Sequence, residues 1–328
     1  MSNGNIDATK RNINLDVLRI IMAFFVVCIH SVFPFKTEVT PIIDIAVPVF
    51  FMLSGWFFQP RNLEEQGAKL RNVLKSIVII YFQATVLYLV WRMPMYMFTN
   101  LPFEASWRDL LTCENTFGAH LWYLHCYIYA LLVLYLLTSL KLNLNKLSIC
   151  LLISCMMLYA GMLSSYNIIE PGLGIRRVFF IAIGFFLMGK SIRYLKDKTW
   201  FSLFTIMILF MGSALFVIEY IYDLRQYIAK YAYLTSTYFL AIGLMSLFAK
   251  LPEIKNSLVW NYLAKIGCKN SLHIYIVHWI FIDLLSFFAR FTGVIFIQDY
   301  CTPIIAFVLS LYTSQLYILV KGRLFQHS

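Results

Sequence analysis

Charge is what this 328-residue sequence has least of: Asp, Glu, Lys and Arg together make up 13% of it, where soluble proteins carry about 25%. Acid is scarcer than base, with 16 Asp and Glu against 27 Lys and Arg, and the formal net charge is +11. Cysteine is sparse and unpatterned. The seven, at positions 28, 113, 126, 150, 155, 268 and 301, form no CxxC pair and no metal-type spacing, which argues against a disulfide or zinc framework and for small buried hydrophobes. HExxH, GxGxxG and GxSxG are all missing, and the one GxxxxGK[ST] string, at 184–191, lies inside an apolar run rather than in a glycine-rich loop after a strand, so zinc-protease chemistry, nucleotide hydrolysis, dinucleotide binding and a serine-hydrolase elbow have no support. Neither a low-complexity linker nor an internal repeat of the inverted kind found in many secondary transporters is visible.

What is present is apolar surface. Hydrophobic residues make up 61% of the chain and the mean hydropathy is +0.74, which excludes an ordinary soluble protein. Cutting wherever charges and turn residues cluster leaves ten stretches, 13–35, 41–58, 75–93, 119–140, 147–165, 175–195, 200–220, 231–249, 270–289 and 302–320, each near the roughly 20 residues a helix needs to cross a bilayer. Runs such as 20–29 and 181–188 are apolar on every side and lack the period of two that barrel strands show. The expected fold is therefore all-α, a polytopic bundle of about ten transmembrane helices forming one integral-membrane domain over 1–328. With a cytoplasmic N-terminus, eighteen Lys and Arg fall on the inner segments and eight on the outer, and Arg19 lies within the first span. The positive-inside rule then puts both termini in the cytoplasm, and the bilayer accounts for the basic balance without a nucleic-acid partner. MSNGNIDATKRN is polar, and 13–35 is too long for a signal h-region and lacks a small-residue cleavage site, so the first helix is expected to stay. The longest pieces between spans are 59–74, inside, and 94–118, outside; the outer one, with Trp107, Asp109 and Glu114, suits a short interfacial helix.

Ionisable residues inside a span are functional candidates by default, and the first span carries Asp16, Arg19 and His30. Arg19 and His30 are eleven positions apart, three helical turns plus about 20°, so both project from one face with about 16 Å between them along the axis. One reading is a lined path from a charged cytoplasmic mouth to a deep imidazole; the other is an interfacial Asp16–Arg19 ion pair with His30 merely hydrogen-bonded to a neighbouring helix. The short connection at 35–40 makes the first two spans antiparallel neighbours and brings Asp44 to the depth of His30, where it is a candidate to orient the imidazole. Lys69, Arg71 and Lys75 then cluster before the third span, either to bind phosphates or to anchor on anionic head groups.

The phrases DVLRIIMAFFVVCIH, VPVFFMLSGWFF, HLWYLHCYIYALL, RVFFIAIGFFLMGKSI and NSLHIYIVHWIF, in that order, resemble the integral-membrane acyltransferase 3 family. The resemblance spans almost the whole chain. It implies about ten helices and use of a cytoplasmic acyl-CoA, usually acetyl-CoA, as donor substrate to acylate surface polysaccharides or lipid-linked glycans, with no permanently bound cofactor. It also implies that His30 is the essential imidazole and Arg19 its partner on the donor side. The family's Arg-x-x-Arg pair before the third span, thought to contact donor phosphates, is replaced here by Lys69-Leu-Arg71-Asn-Val-Leu-Lys75. Since a guanidinium offers bidentate contacts, Arg71 is the best single choice among the three. The chain is similar to members without a fused extracytoplasmic hydrolase-like domain, and a bacterial inner membrane is implied by resemblance only.

A neutral imidazole suits either a base that deprotonates an acceptor hydroxyl or a nucleophile that carries the acyl group. Four other histidines are less telling. His120 and His125 are five apart, as are His273 and His278, which leaves each pair about 140° apart on a helix, no chelate on one face, and no metal is expected. Structural hydrogen bonding is the preferred reading for His120 and His278, and Arg176 and Arg177 lean towards lipid head groups over an anionic glycan. The partners expected are acyl-CoA, a glycan or lipid-linked sugar and the bilayer, and a homo-oligomer is compatible with all three. The leading function is a membrane O-acyltransferase, with a transporter or flippase for a glycan or small polar molecule as the alternative and a structural subunit of an envelope complex as the third.

Overall fold

The structure, a computed structural model, describes residues 12–99, 107–229, 232–254 and 257–324, and among them the regular structure is entirely helical. Lys10, Arg11, Lys230 and Lys255 of the charge tally, and the first residue of the predicted span 231–249, lie outside the described residues. The helices are α1 (Ile13–His30), α2 (Lys36–Ile43), α3 (Ala46–Phe57), α4 (Leu63–Thr99), α5 (Trp107–Thr112), α6 (Trp122–Ser139), α7 (Leu147–Ser165), the single turn α8 (Leu173–Ile175), α9 (Gly184–Leu195), α10 (Phe201–Ile221), α11 (Thr235–Lys250), α12 (Leu258–Thr292) and α13 (Thr302–Leu324). Each predicted span coincides with one of them or with a consecutive pair. Among the described residues nine helical stretches are long and apolar enough to cross a membrane. The tenth predicted span is α11, whose 16 residues rise only about 24 Å, short of a hydrocarbon core of about 30 Å.

Local chemistry explains where the helices begin and end. Asn12 caps α1 by accepting the Leu15 amide, and Lys36 donates to the carbonyls of Ile29 and Ser31 at the other end, where a cation meets the negative end of the helix. This fixes His30 in the last turn. The predicted connection 35–40 is instead mostly helix: the turn is complete by Phe35, whose φ of 60° is left-handed, and α2 starts at Lys36. Pro41 inside α2 has no amide to donate, and the helix ends two residues later, before α3 begins. The inner segment 59–74 is likewise largely helical. Asn62 accepts the Glu65 amide while the Glu65 carboxylate accepts the Arg61 amide, so α4 starts at Leu63 and runs for 37 residues. A short helix, α5, stands in the segment 94–118, of which residues 100–106 lie outside the described residues. Cysteine fits its expected role only in part: Cys28, Cys113, Cys126 and Cys150 are buried, but Cys155 and Cys268 are exposed.

The bundle is centred on α1, α3 and α9. α1 lies along α12, α3 along α9, α10 along α11, and α4 along α6. In lipid no hydrophobic force drives helices together, so close packing and polar contacts hold them, and glycines mark where backbones touch. A Cβ on Gly267 of α12 would stand 1.9 Å from the Asp16 carbonyl oxygen of α1, and one on Gly189 of α9 would stand 1.9 Å from that of Met52 in α3. The peripheral helices turn apolar side chains outward, among them Leu203, Ile206 and Phe210 of α10. In water such a band would be an aggregation site; here it is the lipid face.

Candidate active site

Two cavities meet inside the bundle. The wider, about 830 Å³, is lined by His30, Asp44, Glu114, His120, Arg177 and Trp279 among others. The narrower, about 270 Å³, runs from Arg19 between α1, α3, α6 and α12. Val26, Val47, Tyr123 and Tyr275 line both, so the two adjoin along the face of the first helix between Arg19 and His30. The expected stripe is thus divided between them, with Arg19 on the narrower cavity and His30 on the wider.

His30 is half-buried and faces two further imidazoles and an indole. Its ring centroid is 5.3 Å from that of His278, 6.2 Å from that of His120 and 4.8 Å from that of Trp279. His120 is buried; it stacks on Trp279 at 5.2 Å with its edge to Tyr88. His278 is fully buried and donates from Nδ1 to the Tyr275 carbonyl, with Nε2 unpartnered among the described residues. Tyr275 donates through its hydroxyl to the His120 carbonyl, tying α12 to the entry of α6. A neutral imidazole in such a setting has its lone pair free for a proton or an acyl carbon.

A model of the acyltransferase domain matches residues 12–318. The chain belongs to the acyltransferase 3 family. No curated protein and no solved structure matches it.

Within this acyltransferase 3 domain the predicted residues separate by position. Arg19 lines the narrower cavity, 3.1 Å from the buried Asp16 carboxylate and 4.4 Å over the Phe57 ring, so the expected ion pair and a lined cavity coexist. Asp44 lines the same cavity as His30, but no hydrogen bond joins them among the described residues; its charged surroundings are Lys36 and Arg225. Lys69, Arg71 and Lys75 do not converge. Two residues along a helix turn about 200°, and Lys69 is half-exposed, on Glu65 at 2.9 Å and the Gln59 carbonyl at 2.6 Å, while Arg71 and Lys75 point away and are exposed. The inward side of this mouth instead gathers Lys69 with two cations that sequence reasoning missed. Lys190, fully buried, donates to the Phe58 carbonyl at the C-terminus of α3, and Arg193 lies over the Trp56 ring at 5.5 Å; Lys190 is near both Lys69 and Arg193.

The outer wall also differs from expectation. Arg176 and Arg177 are buried, so neither sits among lipid head groups. They begin a π-helical turn, Arg176–Ile183, whose wider winding turns them inward. Arg176 donates to the Ser164 hydroxyl at 2.7 Å; Arg177 donates to the Thr112 carbonyl at 2.9 Å and covers the Trp122 ring. Asn115, bonded to Tyr81, Thr85 and the amides of Phe117 and Gly118, then holds the segment leading to His120. His120 lies in a 3-10 turn at the entry to α6, and its ring lines the wide cavity in place of the structural hydrogen bonding expected of it. His125 turns elsewhere, to Tyr81 and the Glu114 carbonyl. Among the described residues no three His, Cys, Asp or Glu side chains are grouped to hold a metal ion.

Proposed function

We propose that this acyltransferase moves an acetyl or related short acyl group from cytoplasmic acyl-CoA to a hydroxyl of a cell-surface polysaccharide or lipid-linked glycan. The observation that carries the reading is the adjoining pair of cavities, with Arg19 lining the narrow one and His30 the wide one. CoA phosphates suit Arg19, Lys69 and Arg193 at the inner mouth, with Arg71 and Lys75 on its exposed flank. The pantetheine arm follows the narrow cavity, about 16 Å along α1, and delivers the thioester to His30. A glycan suits the wide cavity, where Trp122, Tyr123, Tyr233 and Trp279 offer flat apolar faces and Asp44, Glu114 and Arg177 offer partners for hydroxyls. Asp44 is assigned to the acceptor.

In direct transfer the acceptor oxygen attacks the thioester carbonyl and gives its proton to His30; the C–S bond breaks and the departing CoA thiolate takes that proton. In a relay His30 attacks first, releases CoA and passes the acyl group to the hydroxyl. Either route returns His30 to its starting state. With both termini cytoplasmic the wide cavity opens on the outer face of a bacterial plasma membrane, where surface glycans are met.

The test is release of free CoA from acetyl-CoA by the protein in lipid discs, with thermal stability followed as donor is added. Wild type should release CoA and be stabilised, His30→Ala should retain stabilisation and lose at least about 100-fold in release, and Arg19→Ala should lose stabilisation. Equal release by wild type and His30→Ala removes the assigned chemistry, and no response to donor of either kind favours a transporter.

A further inference from the structure

The orienting partner of His30 is the open question of this site, because Asp44 shares its cavity without bonding to it. The geometry offers another candidate. The Nδ1 of His278 lies 2.7 Å from the Tyr275 carbonyl oxygen and 3.2 Å from that of Ile274. A carbonyl can only accept, so Nδ1 carries the ring proton and Nε2 of the neutral ring holds a bare lone pair. That lone pair is fully buried and has no partner among the described residues, an arrangement costly enough that native proteins rarely leave it unused. The donors facing it are the imidazoles of His30 and His120, at centroid separations of 5.3 and 5.0 Å. His120 is clamped between Trp279 and Tyr88, whereas His30 is half-buried at the end of its helix and lies closer to an ordinary side-chain rotation.

We propose that His278 is the positioning residue of the transfer: its Nε2 accepts the N–H of His30 as substrates close the site, leaving the other His30 nitrogen bare and aimed at the acceptor hydroxyl. This rests on the acyltransfer reading of the same cavity. Hydrogen bonds of this kind are often long without substrates and tighten in the reactive complex. A neutral imidazole fixes the tautomer of His30 as a carboxylate does in a serine-hydrolase triad, but it supplies no negative charge to hold an imidazolium. The proton that His30 takes from the hydroxyl therefore passes on to the departing thiolate, and no charge accumulates in the cavity. The groups facing His30 are His278 and Tyr275 from α12, His120 and Tyr123 from the start of α6, Lys36 from α2, and Asp44, Tyr233 and Arg225 across the cavity; α3 presents the apolar Val47.

Two isosteric substitutions separate the nitrogens of His278. In His278→Asn the carboxamide N–H replaces Nδ1 and nothing replaces Nε2; in His278→Gln the carboxamide oxygen reaches the Nε2 position. In lipid discs, turnover is measured against pH, and so is the rate at which diethyl pyrocarbonate modifies His30, read by mass spectrometry without need of activity. His278→Asn should lower kcat about 100-fold with donor KM unchanged, shift the acidic limb of the pH profile and shift the His30 modification midpoint. His278→Gln should recover kcat to within about tenfold and restore the modification curve. Equal curves for the Asn variant and wild type, equal impairment of the Asn and Gln variants, or a shift produced by His120→Asn in place of His278→Asn would each overturn the proposal. If wild type transfers no acyl group, the acyltransfer reading falls and the modification curves still decide the His30–His278 contact. Should the Asn variant not assemble, 15N spectra of histidine-labelled wild type decide: His278 as the Nδ1–H tautomer is required, and the Nε2–H tautomer overturns the inference.

Discussion

At the residue scale, the imidazole and the guanidinium of α1 face different demands. Arg19 combines a salt bridge to Asp16 with a stacked contact on Phe57, and a lysine keeps only the charge. Arg19→Lys is expected to raise the donor KM several-fold with kcat little changed, whereas Arg71→Ala, on the exposed side of α4, is expected to have the smaller effect; steady-state kinetics against acetyl-CoA checks both. An Arg71→Ala effect exceeding that of Arg19→Lys would return the phosphate contact to the outer face of α4. Asp44→Asn tests the other division of labour. It is expected to raise the acceptor KM while leaving the pH dependence of His30 modification where it was, since no hydrogen bond joins the two side chains. A displaced curve would restore Asp44 as the partner of the imidazole.

At the element scale, the reactive geometry depends on how closely α12 approaches α1. Gly267 allows contact with the Asp16 carbonyl, and eleven residues further along the same helix stands His278, opposite His30. Gly267→Ala must push the helices apart at a backbone contact that cannot yield by a side-chain rotation. The expected outcome is a loss of about 1–3 kcal/mol in stability together with a lower kcat, read from thermal unfolding in discs and from turnover. Gly189→Ala introduces a comparable clash between α9 and α3, with a stability loss of about the same size. Its kinetic effect should fall on donor KM, because Lys190 and the end of α3 build the inner mouth. If both variants alter the same kinetic constant, the two cavities are not separate binding regions.

At the scale of the whole molecule, sidedness follows from the distribution of charge across ten crossings. With Cys155 and Cys268 replaced by Ser, Lys198→Cys should react with an impermeant maleimide only from the cytoplasmic face and Asp223→Cys only from the outer face. The reverse pattern would invert the direction of transfer. The short α11 is the element on which this topology depends, since without it α12 and α13 would change sides. It buries Ser236, Thr237, Tyr238, Ala241 and Met245, so much of its surface faces protein rather than lipid. Glu219 from the end of α10 accepts the Ser236 amide and so anchors its first turn inside the bundle.

By itself the sequence determined what depends on neighbours along the chain. Apolar length set the all-α bundle and its spans, and the eleven-residue interval put Arg19 and His30 on one face, because a helix makes spacing into direction. The ordered phrases likewise identified the family. Other assignments required positions in space. The helical wheel separated His120 from His125 and His273 from His278, but nothing in it tells which member of each pair meets a helix distant in the chain. That was decided by the glycine contact of α12 with α1 and by the 3-10 entry to α6, which bring His278 and His120 around His30. The inward turn of Arg177 and the burial of Lys190 depend in the same way on a π-helical segment and on the α3–α9 crossing. Periodicity is a property of one helix; an active site made from three belongs to their packing.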